Sequence, residues 1–219
     1  MPTPVGHSLA GLAVHLASPG QPVRSRAVQA LALVVLANLA DVDFIPGYVV
    51  GEPRAYHWGP THSLAAALLA GGIAGWIARR FTGRFLPMAL LGTVAYGSHV
   101  VMDLLLGPGT RYLSMGLQVW WPFSTAPHMA PWSVFRMFPA SIHELGPVGA
   151  LFSRSVLPLI AREVAILIPV CAAAWAGRRI YRRVTGSDGA DDGSALTPAT
   201  GEAAGHVMSR NTSPGRHAG

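Results

Sequence analysis

The chain has 219 residues, with 51% hydrophobic residues, only 12% charged residues and a mean hydropathy of +0.38. Charged residues make up about a quarter of a typical soluble domain, so this composition argues against a soluble globular protein and for a single domain embedded in a lipid bilayer. All 16 basic residues are arginine, and most stand in short clusters beside apolar runs. That is the pattern of membrane orientation, not the stripe of a nucleic-acid binder, so no nucleic-acid partner is expected.

The single Cys171 lies inside an apolar run, so no intramolecular disulfide can form and the thiol reads as packing. The N-terminal stretch has no positive region ahead of its apolar residues, which argues against a cleaved signal peptide.

Val5 to Ala17 is apolar but only 13 residues long, about 20 Å as a helix against a hydrocarbon core of about 30 Å. It reads as a short embedded helix, with His7 in its first turn and His15 near its end. A turn-rich loop with Arg24 and Arg26 follows. Ala27 to Ala40 is again uncharged and short, so the first two segments read as a shallow hairpin.

The run from Leu39 to Leu64 then departs from the apolar pattern. It opens with Asp41 and Asp43 in D-V-D, turns at Ile45-Pro46-Gly47, and delivers His57 and His62 on either side of Gly59-Pro60. Two carboxylates and two imidazoles at the ends of apolar segments suit a borderline metal such as zinc, or else manganese. The structural alternative is helix capping by the aspartates and uncommitted loop histidines. Residues two apart on a helix point to different sides, so both aspartates can serve one site only if the helix unwinds there. Pro46 is expected to end any helix near Ile45, and Pro60 to begin the next, with His62 in its first turn.

Thr61 to Ala78 runs 18 residues without a charge and stops at Arg79-Arg80, a strong transmembrane signal. Arg84 completes a basic loop before a second 18-residue span, Phe85 to Met102. Near its end lies G-S-H-V-V-M-D, in which His99 and Asp103 are four apart and so stack on one helix face, able to bind one ion together. The structural alternative is a His–Asp hydrogen bond that pins the helix end.

Gly107 to Arg154 is rich in tryptophan and proline, including Trp120, Trp121 and Trp132, and reads as an interfacial loop with its indoles at headgroup depth. His128 and His143 read as surface histidines of that loop. A last apolar segment runs from about Ser155 to Gly177. It is interrupted by Arg162 and Glu163, which either mark where the helix enters the membrane or line a cavity, and it is closed by the Arg178 to Arg183 cluster. From Val184 the composition turns to Gly, Ser, Asp, Thr and Ala, as in a disordered tail. The expected architecture is therefore all-α: a multi-pass membrane domain over residues 1–183 with about four to five embedded helices, and a disordered tail over 184–219.

The ordered motifs G-H-S at His7, A-D-V-D-F-I-P around Asp41 and Asp43, H-W-G-P-T-H-S from His57 to Ser63 and S-H-V-V-M-D from His99 to Asp103 resemble a known family. It is the LexA-regulated, inner-membrane-associated metal-dependent hydrolase family, whose pattern is an N-terminal His, L-P-D-x-D, H-R-G-x-T-H-S and H-x-x-x-D. The W-P-F at Trp121 to Phe123 also matches, and the resemblance covers about residues 4 to 125. Trp58 stands where the family usually has Arg, and Ala40 where it usually has Pro.

The resemblance implies a hydrolase of the inner membrane, with His7, Asp41, Asp43, His57, His62, His99 and Asp103 as ligands of one or two divalent ions and a metal-activated water as nucleophile. Asp43 or Asp103 would be left as general base. The position of the site suggests a lipid-linked, phosphate-bearing or amphiphilic substrate. The rival is a non-enzymatic metal-binding membrane protein, a regulator or transporter. Because arginine clusters favour the cytoplasm and five alternating segments put all three clusters on one side, the site is expected to open on the extracytoplasmic side.

Overall fold

The computed structural model describes residues 2–23, 25–52, 56–107, 116–137 and 153–186. The expected tail lies almost wholly outside them, as does His143. Among the described residues the fold is all-helical, without strands.

Helix α1 (Pro4–Ala17) begins at the N-cap Thr3, whose hydroxyl accepts from the Gly6 amide, with Pro4 at a position where its missing N–H costs nothing. Helix α2 (Arg26–Asn38) leads into a 3-10 turn, Leu39–Asp43, and then the short α3 (Phe44–Val49). The expected stop at Pro46 is thus corrected. Pro46 sits in the first turn of α3, where a proline is tolerated, and the helical run from Arg26 to Val49 is 24 residues long, enough to cross a membrane. The expected shallow hairpin is corrected with it.

A second 3-10 turn, Pro60–His62, stands apart from the helix it was expected to start, because the Ser63 hydroxyl caps α4 (Leu64–Thr82) by accepting from Ala66 N at 3.1 Å. Gly83 closes α4 in the left-handed conformation at φ 71°. Helix α5 (Leu86–Leu104) and helix α6 (Leu157–Thr185) follow among the described residues. Arg162 and Glu163 do not break α6, which also runs two residues past the boundary expected at 183.

Among the described residues three stretches are long and apolar enough to span a bilayer: Arg26–Val49, α4 and α6. Helix α5 is as long as α4 and packs against α1, α2 and α4, with Leu90, Val94 and Val101 exposed on its other face.

Close approach of backbones holds the bundle together. A Cβ on Gly71 of α4 would stand 2.0 Å from the Thr93 hydroxyl of α5, one on Gly75 2.8 Å from Phe85 O, and one on Gly11 of α1 2.7 Å from Leu33 O. In a bilayer, apolar burial drives little association between helices, and packing across small residues does so instead. The outer faces carry exposed Leu31, Val35, Leu68, Leu69, Ile73 and Ile77, as a lipid-facing surface should.

Side-chain contacts give the helix directions. Asn38 reaches Ser8 while Gln29 reaches Ser18, so α2 runs antiparallel to α1. Gly71 meets Thr93 and Gly75 meets Phe85, so α5 runs antiparallel to α4. Glu163 meets Thr3 and Cys171 meets Leu9, so α6 runs parallel to α1. The start of α1, the end of α2, the start of α4, the end of α5 and the Glu163 level of α6 therefore share one end of the bundle. Arg26, Arg79, Arg80, Arg84 and Arg178 gather at the other.

The loop residues 116–137 fold over the first end. Leu117 and His128 pair as an isolated antiparallel bridge, Leu64 N donates to Val119 O, and Gln118 N donates to Trp58 O.

Candidate metal centre

The seven residues singled out from the sequence meet at this end of the bundle, although they span nearly a hundred positions. The 3-10 geometry of Leu39–Asp43 is the local cause for Asp41 and Asp43. Tightening to three residues per turn brings side chains two apart from about 160° to about 120° of one another, so both can border the same cluster.

His62 and His99 form the centre. Their Nε2 atoms stand 3.2 Å apart, and both rings are fully buried. His99 Nδ1 donates to Ala37 O at 2.8 Å, and His62 Nδ1 donates to the Thr61 hydroxyl at 3.1 Å, which in turn donates to Asp43 Oδ2, itself 3.1 Å from His62 Nδ1. Each bond assigns the proton of a neutral ring to Nδ1 and leaves a lone pair on Nε2. Two lone pairs facing at 3.2 Å repel unless a cation lies between them.

Carboxylate oxygens flank the pair. Asp103 Oδ2 lies 3.5 Å from His62 Nε2 and 3.9 Å from His99 Nε2, and Asp41 Oδ1 lies 3.8 and 3.4 Å from the same two atoms. Four ligands held ~2.0–2.1 Å from zinc stand about 3.3–3.4 Å from one another, so these separations are close to those of a ligand shell.

His7 stacks on His99 with ring centroids 3.7 Å apart and planes 13° from parallel, and its Nε2 lies 3.7 Å from Asp103 Oδ1. His57, Asp41 and His62 make a further group of three, beside His7, Asp41 and His99 and beside His62, His99 and Asp103.

The donor set fits a metal ion by a second criterion. His7 Nδ1 and Nε2, Asp41 Oδ1, His57 Nε2 and Asp103 Oδ1 are buried without a hydrogen-bond partner. Buried polar atoms are otherwise almost always paired, and five orphans in one cluster form a donor set that a cation could satisfy.

Asp43 holds a different position from the other carboxylates. Its Oδ1 accepts from His57 Nδ1 at 3.0 Å, and its Oδ2 accepts from the Thr61 hydroxyl at 2.8 Å while facing His62 Nδ1. It stands behind two imidazoles and turns their Nε2 atoms inward, the place of an outer-shell carboxylate.

Trp58, which stands where the resembled family usually has Arg, lines the cluster although it was not among the expected ligands. Its buried indole N–H donates to Asp103 Oδ2 at 2.7 Å, and its backbone adopts φ 67°, a region side chains rarely enter. Tyr96 supports the same loop by donating to Thr61 O at 2.8 Å. The signal for Trp58 lay in H-W-G-P-T-H, between two ligand candidates, whereas Tyr96 stands three residues before His99 on α5. His128 lies outside the cluster, with its Nδ1 on Ala126 O.

Outside the spanning helices, two pKa shifts follow from this geometry. Burial holds His57 below the usual histidine value, against the raising effect of Asp43. Burial also works against charge on His62, but the carboxylates of Asp103, Asp41 and Asp43 outweigh it and raise that pKa well above the usual value. A proton on His62 is then the cation that separates the two Nε2 lone pairs when no metal does.

One side of the cluster is open. A cavity of about 710 Å³ has Asp43, His57, Trp58 and Thr61 on one wall and Gly116 and Gln118 of the covering loop on another. Next to it the loop exposes Trp120, Trp121 and Phe123, the last 94% exposed.

Apolar spans around a buried histidine and aspartate cluster define an integral membrane protein with a candidate metal centre at one end of its bundle. The chain belongs to the YdjM inner membrane protein family, whose model matches residues 1–184. It is similar to the inner membrane protein YbcI of Escherichia coli (strain K12), with 29% identity over 148 residues, which is 65% of this chain and 80% of that protein. No solved structure matches it.

Proposed function

We propose that this protein is a membrane-bound metal-dependent hydrolase acting on an amphiphilic substrate, lipid-linked or phosphate-bearing. The observation that carries the reading is the facing pair of Nε2 lone pairs on His62 and His99, flanked by Asp41 and Asp103. Zinc is the ion these donors suit best, with manganese second.

Asp41, His62, His99 and Asp103 would hold the ion, with His7 beside His99 and His57 on the cavity side. The ion, when bound, supplies Lewis acidity toward the scissile group and acidifies a water. The chain supplies the rest. Trp58 donates to Asp103 and fixes its orientation. Asp43 fixes the tautomers of His57 and His62 from behind.

Of the two carboxylates expected as general base, Asp43 is on the cavity wall and Asp103 is fully buried. Asp43 would therefore assist proton removal, with His57 Nε2 as the atom that would take the proton. The cavity beside Asp43 and His57 supports this reading over a purely structural ion, which needs no open wall. The exposed Trp120, Trp121 and Phe123 would set the mouth at headgroup depth, where an amphiphile presents its polar end.

The arginine-rich end would face the cytoplasm, so the site would open on the extracytoplasmic side. LexA control of expression is implied by the motif resemblance, and the transcript should then rise in a strain lacking that repressor.

Elemental analysis of detergent-purified protein tests the centre. The wild type should carry at least one equivalent of metal and His62→Ala should carry none. Hydrolysis of a panel of amphiphilic esters and phosphodiesters should follow the metal content, whereas full metal loading without turnover would leave the non-enzymatic reading. Glu52→Cys should react with an impermeant thiol reagent in intact cells and Thr82→Cys should not. The reverse pattern would turn the site to the cytoplasm.

A further inference from the structure

We infer that Glu163 is a positioning residue for His7, gripping the first turn of α1 from α6 and so holding that imidazole against His99; for its link to metal affinity the inference rests on the metal-centre reading above. Glu163 is only 2% exposed and sits in a helix apolar enough to span the membrane. A carboxylate so placed is costly unless it is paired or functional.

Its partners belong to one structure, the start of α1. Thr3 N donates to Glu163 Oε1 at 2.7 Å and the Thr3 hydroxyl donates to Oε2. Thr3 is itself the N-cap, its hydroxyl accepting from Gly6 N at 3.3 Å. The negative charge therefore stands where unpaired helix amides and the helix dipole favour it.

Gly6 completes the grip. A Cβ there would meet Glu163 Oε2 at 2.6 Å and Met102 Cε at 3.1 Å, so α1 is seated directly between α6 and the turn of α5 that carries Asp103. His7 is the next residue. Its amide closes the first helical hydrogen bond to Thr3 O at 3.2 Å, and its ring lies on His99. Any slackening of Thr3 and Gly6 moves His7 with them.

Arg162, the neighbour of Glu163, faces elsewhere, its Nε donating to Val134 O at 3.0 Å. The two charged residues that interrupt α6 thus serve two different attachments, as adjacent helix positions must.

The test is Glu163→Ala, with Gly6→Ala and Thr3→Val as independent routes to the same displacement should Glu163→Ala fail to fold. Cobalt titration in detergent should show about 10- to 100-fold weaker binding, the range seen when outer-shell support is lost. The cobalt absorption spectrum should become that of His7→Ala, and His7→Ala combined with Glu163→Ala should bind no more weakly than His7→Ala alone. Additive losses in the double variant, or wild-type binding in Glu163→Ala, overturn the inference.

Hydrogen exchange separates this outcome from failure of the metal reading. In chelator, Glu163→Ala and Gly6→Ala should speed exchange of the first-turn amides of α1 while α4 and α5 keep wild-type protection. Unchanged exchange in α1 overturns the grip. A wild type that takes up no cobalt overturns the metal reading while the exchange result still decides the grip.

Discussion

Asp103→Asn removes one negative charge from the centre of the cluster while keeping its shape. The amide oxygen can still accept from the Trp58 indole, which Asp103 Oδ2 now does at 2.7 Å, so no buried donor is left unpaired and the fold should persist. What is lost is the anionic oxygen 3.5 Å from His62 Nε2 and 3.9 Å from His99 Nε2. With free zinc at about 100 times the dissociation constant, binding to the native state alone stabilises the wild type by about 2.7 kcal/mol. In a chain of this size that is a rise of about 5–11 °C in melting temperature. If the substitution weakens zinc about 100-fold, the same zinc concentration adds only about 0.4 kcal/mol, or about 1–2 °C. The assay is thermal unfolding in detergent, each protein with zinc and with chelator, the chelated pair reporting the intrinsic effect of the substitution. Equal zinc-minus-chelator shifts in the two proteins would refute the assignment of Asp103 to the centre.

Trp58→Phe keeps an aromatic ring in the buried site but removes the donor to Asp103, and zinc affinity should fall about 10- to 100-fold in a calorimetric titration. Gly71→Ala should strongly destabilise the bundle or prevent its folding, because the new methyl would stand 2.0 Å from Thr93 Oγ1 and 2.5 Å from Ala89 O; Gly72→Ala, with open space around it, should unfold within about 1 °C of wild type. Stability of the chelated protein should depend on pH through His62. Its folded pKa lies above the unfolded value of about 6.5, so its contribution is fully present below that value and is lost as pH rises through the raised folded pKa. Zinc binding should show the opposite slope, tightening as pH rises, because the ion must displace that proton; a chelated protein whose melting temperature is flat above pH 6.5 would refute the role given to His62.

The membrane class, the helices and the cluster members were legible in the chain because each rests on local pattern. Uncharged runs of 18 residues, arginines at their ends and the four-residue spacing of His99 and Asp103 are statements about neighbours in sequence. The start of α4 was misplaced by a few residues because Ser63, not Gly59, supplies the cap, and only the hydrogen bond to Ala66 N decides between them. The length of the Arg26–Val49 run was missed because a proline reads as a stop unless one knows that it falls in a first turn. The division of labour among the carboxylates was invisible. Asp41 and Asp43 are two positions apart and chemically identical, yet packing turns one toward the His62–His99 pair and the other behind two imidazoles. Glu163 stood out in the sequence only as a charge in an apolar run, and its role was beyond reach for the same reason. Its partner Thr3 lies 160 residues away, and nothing in either neighbourhood specifies the other. Sequence determined which chemistries lie at the helix ends. Which atoms face one another across the cluster is a property of five helices meeting at one end, and only the tertiary structure decides it.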